Sequence, residues 1–210
     1  MIYNSAGHHN LDSGAVATYK GKLLKESEVA IIIRDKINKR LTAKGYSFIQ
    51  DKDTETLSVY LNRIKPGNAS VTCEHHLNAS ANPKARGIEI IVKKNPTANS
   101  LALAITLGKG ISQITGIPLR HGNGVITEDK TARGRIAIVN KEGTSVLIEY
   151  GFISNKEDMD SLFANLDKVC DFVANTLIIY ANWSIELSPG NIGFKSNISA
   201  ITQPRDQIST

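Results

Sequence analysis

Gly87–Lys93, GIEIIVK, is a β-branched run bounded by turn residues, and Asn99–Ile114, NSLALAITLGKGISQI, follows it with the period and length of a helix. A strand followed at once by a helix is the unit of a layered α/β protein, and the same alternation extends in both directions. Upstream, Glu26–Lys44 places Val29, Ile32, Ile33, Ile37 and Leu41 at helical spacing, with Gly45 as a stop signal. Tyr46–Gln50 then reads as a short strand, Thr56–Ile64 as a helix ended by Lys65-Pro66-Gly67, and Ser70–His75 as the next strand. Downstream, Arg135–Asn140 and Ser145–Tyr150 read as strands. Lys156–Tyr180 reads as one helix carrying Met159, Leu162, Phe163, Leu166, Val169, Phe172 and Val173 on a face. The expectation is a single α/β domain over residues 1–183, a twisted, mostly parallel sheet flanked by helices. Residues 184–210 lose periodicity and read as a short extension too small to be a domain of its own.

At 210 residues and 41% hydrophobic, the chain can bury a real core. Its net charge of +5 favours anionic partners, among them nucleic acid, a membrane surface or an acidic wall polymer. Aromatic residues make up only 6% and do not interleave with the Lys/Arg clusters, so the stacking platforms of a single-strand nucleic-acid binder are missing. Cys73 and Cys170 are too few and too far apart for a disulfide framework. The N-terminus lacks a basic segment followed by an apolar one, and no apolar run approaches the length of a membrane span. The reading is a soluble protein made in the cytoplasm without a signal peptide, in which the N-x-S matches at Asn68, Asn78, Asn182 and Asn197 are incidental.

Ligands of open α/β sheets bind at the carboxyl ends of strands. Three polar clusters follow strand-like runs: Gly7-His8-His9 with Asp12 and Gly14, Glu74-His75-His76 with Asn78, and Glu149 after Ser145–Ile148. Four of the five histidines lie in the two adjacent pairs, and neutral imidazole is the commonest metal ligand near neutral pH. Successive strand side chains point to opposite faces, so one member of each pair is expected to be a ligand and the other not. Cys73 and His75 share a face and form a second, less favoured pairing. Glu26, opening the long helix, suits a third ligand, while Glu28 fits equally well. Both also have a simpler explanation as favourable charges in a first helical turn.

Taken in order, these residues resemble the zinc-dependent N-acetylmuramoyl-L-alanine amidases of the amidase 3 family. Ser5-Ala6-Gly7-His8 followed by Gly14-Ala15 is similar to the family's first motif, and Lys25-Glu26-Ser27-Glu28-Val29 to its helix opening. His76-Leu77-Asn78-Ala79 resembles the H-x-N-A motif, and Gly87-Ile88-Glu89-Ile90 the strand that follows it. Ile148-Glu149-Tyr150-Gly151-Phe152-Ile153-Ser154-Asn155 is the most specific match. The stretch Asn4–Asn10 departs from the Asp-Pro-Gly-His-Gly-Gly opening of cell-division members and is closer to phage endolysin and spore-associated versions.

The resemblance implies one Zn2+ per chain held by His8, Glu26 and His76, which selects among the alternatives that spacing leaves open, and Glu149 as catalytic acid/base. It also implies a peptidoglycan substrate and cleavage of the amide between N-acetylmuramic acid and L-alanine; Asn78, Arg133 and Arg135 are candidate substrate contacts, each of which equally suits a turn former or a solvated charge. A monomeric phage lysin acting on the bacterial cell wall is the expected setting, with anionic wall polymers as further partners, no nucleic acid and no transmembrane segment. The rival readings are a metal- or nucleic-acid-binding module that kept the fold without catalysis, and a zinc peptidase cutting within the stem peptide.

Overall fold

The computed structural model describes residues 1–186, so the extension expected at 184–210 lies, from residue 187 onward, outside the described residues. The chain runs through β1 (Ile2–Ser5), a hairpin of β2 (Val16–Tyr19) and β3 (Lys22–Lys25), α1 (Glu26–Ala43), β4 (Phe48–Gln50), α2 (Leu57–Arg63) and β5 (Val71–Asn78). It continues with β6 (Glu89–Val92), α3 (Ala98–Thr115), β7 (Val125–Thr127), β8 (Thr144–Phe152), α4 (Lys156–Ala164) and α5 (Leu166–Glu186). Six strands form one sheet in the order β4-β1-β5-β8-β6-β7, and β2 pairs only with β3. Every pairing in the six-stranded sheet is parallel except β6 with β8. The mostly parallel α/β fold expected from the alternation is therefore present.

Strand alternation divides the apolar side chains between two cores. Ile2, Val71, Cys73, Ile90, Val92, Val146 and Ile148 enter the larger one, which is closed by Val29, Ile33 and Ile37 of α1, Leu103 and Leu107 of α3, and Val169, Val173 and Leu177 of α5. Tyr3, Ile91 and Leu147 point the opposite way, against Tyr60 and Ile64 and the irregular segment carrying Ile136, Ile138 and Val139. The sheet is thus covered by a three-helix layer on one face and only partly covered on the other. That second face leaves room for a cleft.

Two local expectations are corrected. Arg135–Asn140 is not a strand: it is irregular and ends in a 3-10 turn at Ile138–Asn140. Its apolar residues are buried as expected, but Ile136 N and Asn140 Nδ2 donate to Glu128 Oε2 at 2.6 and 2.7 Å, so a side chain satisfies the groups that a ladder would have taken. The helix expected over Lys156–Tyr180 is broken at Asn165. This residue leaves helical geometry, ends α4 by donating from its backbone N–H to Leu162 O, and offers its carbonyl to Val169 N as α5 begins. The β2–β3 hairpin and β7 were not anticipated.

Gly110, inside α3, lies against Phe172 of α5. A Cβ there would lie 2.0 Å from Phe172 Cζ. Gly110→Val is expected to lower stability by about 1–3 kcal/mol through overpacking. Urea denaturation measures this, and an unchanged midpoint would mean that the Phe172 ring swings aside at no cost.

Candidate active site

The parallel register brings the ends of β1, β5 and β8 to one edge, where Ser5 pairs with Glu74 and His76 with Glu149. Because β6 runs antiparallel to β8, its first residue, Glu89, pairs with Glu149 and reaches the same edge. Beyond β1 the chain turns at Gly7, with φ +72°, and a Cβ on Gly7 would lie 2.1 Å from His76 Nε2. Only glycine permits this approach. The turn is anchored from behind by buried Arg34 of α1: its Nη1 donates to Asp51 Oδ1 at 3.0 Å and its Nη2 to Asp53 Oδ1 at 2.6 Å. Asp51 Oδ1 also accepts from Ala6 N at 3.1 Å, and Asp53 O accepts from Asn10 N at 2.9 Å, so the loop carrying His8 is held on both sides.

α1 begins without a side-chain cap. Instead Glu26 N and Ser27 N donate to Ala15 O and Ser13 O at 2.8 and 3.0 Å, which docks the helix start against the segment after His8. The Glu26 carboxylate then enters the site. Its Oε1 lies 2.8 Å from His76 Nδ1 and 3.3 Å from His8 Nε2 and accepts from Leu77 N at 3.0 Å, while Oε2 accepts from Ala15 N at 2.8 Å. One ligand-capable atom from each of His8, Glu26 and His76 lies within 4.8 Å of the other two, the arrangement of a group that could hold a metal ion. The remaining ring nitrogens are each held by a carboxylate: His8 Nδ1 by Asp12 Oδ2 at 3.0 Å, and His76 Nε2 by Glu74 Oε1 at 3.1 Å. His8 Nε2 is buried and has no hydrogen bond.

Charges in this edge shift one another strongly. Burial works against protonation of His76, yet Glu26 and Glu74 raise its pKa to about 10, and His8 is raised in the same way, against burial, by Glu26. Burial would push Glu26 up, but His76 and His8 hold it well below the usual carboxylate range. Glu149 is pushed up to about 7, first by burial and then by the charges of Glu26 and Glu89, with His76 opposing. Among the described residues its buried Oε2 has no hydrogen-bond partner. Residues 75 and 76 separate as strand alternation requires. His75 sits in the large core with Nδ1 3.0 Å from Tyr150 Oη and Nε2 2.8 Å from Asn4 Oδ1, and burial together with the charge of His76 lowers its pKa to about 3. Cys73 lies on that same buried face, where burial pushes its thiol up, away from a reactive thiolate.

The site opens into a cleft of about 900 Å3 whose walls include Asn78, Glu89, Arg120, His121, Arg133 and Glu149. Glu89 Oε2 accepts from Arg120 Nε at 2.7 Å and lies 2.9 Å from His121 Nε2, and the Arg120 guanidinium stacks over Phe152 at 4.9 Å. The structure thus gathers His8, Glu26, His76 and Glu149, with Asn78 and Arg133 in the cleft they face. Arg135 is not brought there: it lines a separate depression with Asn140 and Lys141. The neighbouring candidates are engaged elsewhere: the His9 ring accepts from Leu11 N at 3.2 Å and Glu28 pairs with Lys25 at 3.4 Å. Sequence reasoning placed Asp12 and Glu74 in the polar clusters and Glu89 in a family-like strand without giving them a role, and it missed Arg120 and His121. Glu74 carried a usable signal, lying two residues from His76 and hence on its face of the strand; Arg120 and His121, in a loop, carried none.

Residues 2–175 match the family model for N-acetylmuramoyl-L-alanine amidase, Amidase_3. The chain belongs to this amidase family. Its fold is similar to that of a Neisseria meningitidis protein assigned as an N-acetylmuramoyl-L-alanine amidase, with TM-score 0.69, 24% identity, and 86% of this chain and 94% of that one covered. It is also similar to the N-acetylmuramoyl-L-alanine amidase AmiC2 of Nostoc punctiforme (TM-score 0.66, 21% identity, 86% and 96% covered). A third likeness is to the catalytic domain of an endolysin targeting Clostridia difficile (TM-score 0.63, 18% identity, 85% and 96% covered). No curated protein matches the chain. Family membership makes the chain a peptidoglycan amidase, and no helix among the described residues is long and apolar enough to cross a membrane.

The shifted groups fix how the ion-free protein responds to pH. His76 is raised from 6.5 to about 10 by folding, so its contribution is fully present below pH 6.5 and is lost as pH rises toward 10. Glu26 is depressed from 4.5, so its contribution is present above pH 4.5 and lost as pH falls below it. The stability difference between chelator-treated wild type and His76→Gln is therefore expected to be greatest between these limits and to shrink at alkaline pH. Urea midpoints across the pH range test this; a difference that grows above pH 8 would contradict the assignment.

Proposed function

We propose that the chain hydrolyses the amide joining the lactyl group of N-acetylmuramic acid to the L-alanine of the stem peptide, using one zinc ion held by His8, Glu26 and His76 and a proton carried by Glu149. The observation that carries this reading is the convergence of the His-Glu-His group with a buried, unpartnered Glu149 oxygen at one sheet edge. The residues fit zinc. Two imidazoles and one carboxylate are the ligand count of a catalytic site with an open position. The buried His8 Nε2 faces Glu26 Oε1 at 3.3 Å without a hydrogen bond among the described residues, a position from which a neutral imidazole can give its lone pair to a metal, and the carboxylates behind both rings are the partners that orient metal-binding histidines. Bound there, zinc would supply Lewis acidity at the scissile carbonyl and lower the pKa of a neighbouring water.

The remaining steps belong to the protein. Glu149, with its pKa raised to about 7, is suited to take a proton from the attacking water and return it to the departing amine of L-alanine. The Asn78 Oδ1 accepts from Ala79 N at 2.9 Å, which orients its amide as a cleft-wall donor for a substrate carbonyl. The net charge of +5 favours retention near anionic wall polymers. A role as a phage lysin is supported by the likeness to an endolysin catalytic domain, and a monomeric state is proposed with it.

Glu149→Gln is expected to lower kcat by about 100- to 10,000-fold while retaining close to one equivalent of zinc. Metal analysis and digestion of purified peptidoglycan measure both; joint loss of zinc and activity would remove Glu149 from the proton-transfer role. Chelation should abolish release of wall fragments and zinc should restore it. Mass spectrometry identifies the bond cut, since this reaction alone leaves an intact stem peptide with a free L-alanine amine, whereas cleavage inside the stem peptide would mark a peptidase.

A further inference from the structure

The cations in the cleft are not equivalent. Arg120 and His121 are already paired with Glu89. Lys130 and Arg133 also line the cleft, and among the described residues neither has a side-chain hydrogen bond or salt bridge. Arg133 and Lys130 line the same cleft as Glu149, on the wall that faces the site. The segment that carries both cations is built with care: buried Glu128 accepts from Lys94 N through Oε1 and from Ile136 N and Asn140 Nδ2 through Oε2, and its carbonyl accepts from Thr131 N and Thr131 Oγ1. A buried carboxylate therefore ties both ends of an exposed basic wall, so the wall is held in place in spite of its lack of regular structure.

Resting on the amidase reading above, we propose that Arg133 and Lys130 form a carboxylate-recognition wall that selects stem peptides carrying a free carboxylate on the residue after L-alanine. The chemistry of that residue suits the placement. When it is joined to L-alanine as D-isoglutamate, its α-carboxylate is carried on the very next Cα, about 3.8 Å from that of alanine, so an anion lies a short step from the bond being cut. Guanidinium binds a carboxylate through two parallel N–H donors, and the loss of that anion by amidation to D-isoglutamine removes both the charge and one acceptor. The charge of Arg120 is already balanced by Glu89, which leaves Arg133 and Lys130 as the unbalanced cations of the wall.

The test compares N-acetylmuramoyl-L-alanyl-D-isoglutamate with its isoglutamine amide as substrates for the zinc-loaded enzyme. The free acid is expected to have a kcat/KM about tenfold or more above that of the amide, with a preference that weakens as salt is added. Arg133→Ala should bring the ratio close to one, Lys130→Ala should reduce it in part, and zinc content and melting temperature should stay unchanged in both because these side chains are exposed and unpaired. Equal cleavage of acid and amide, or a ratio that survives both substitutions, overturns the wall and leaves the amidase reading intact. Binding of both compounds to zinc-loaded Glu149→Gln, followed by calorimetry, gives a second readout. If neither compound is hydrolysed by the wild type, the proposed reaction fails; if the acid binds no more tightly than the amide, the wall fails whatever the reaction.

Discussion

The Glu26 carboxylate joins four separate pieces of chain. It opens α1, receives Ala15 N from the segment before the hairpin, receives Leu77 N from β5, and stands between His8 of the loop after β1 and His76. Carrying a charge out of water is costly, and the structure offsets that cost with two backbone donors and two imidazoles instead of a single partner. The same anion explains why both histidines are biased toward protonation when no metal competes. A divalent cation at this point would replace those protons without changing the sign of the charge that the carboxylate already requires.

The second carboxylate, Glu149, lives in a different electrostatic setting only one strand away. Glu26 is flooded with donors and held ionised, whereas Glu149 has a buried oxygen with no donor and is shifted upward. Two acids whose environments push them apart suit the two roles proposed for them, one in holding charge and one in moving protons. The antiparallel β6 matters here, because reversing its direction is what delivers Glu89, and through it Arg120 and His121, to an edge otherwise made of strand carboxyl ends.

Rigidity is supplied from below and behind. Arg34, fully buried, pins the His8 loop through Asp51 and Asp53, while the chain of Tyr150, His75, Asn4, Asn38 and Gln50 fills the seam between β1, β5, β8, β4 and α1 with satisfied polar contacts. His75 is thus a structural neighbour of the site and stays neutral, although it is covalently next to a histidine of the opposite character. On the open side the wall carrying Arg133 is irregular, and its order depends on the Glu128 carboxylate and on burial of Ile136, Ile138 and Val139.

The period of the apolar residues was enough to determine the α/β class, the main helices and the strands of the sheet, because 2-residue and 3.6-residue repeats record which face is buried regardless of partners. The same rule decided that His75 and His76 must part. Motif order supplied the resemblance to the amidase family and chose His8, Glu26 and His76. Only the tertiary structure separated His8 from His9 and Glu26 from Glu28 on physical grounds, since which side chain reaches a common point depends on a glycine turn, a strand register and a helix start that are distant in sequence. It also removed the strand expected at Arg135–Asn140 and took Arg135 out of the cleft, because an apolar β-branched run can be buried by a side-chain anchor as well as by a ladder. The partner of Asp12, and Arg120 and His121 altogether, became visible at the same stage, for these contacts are set by loop geometry, to which hydrophobic periodicity is blind.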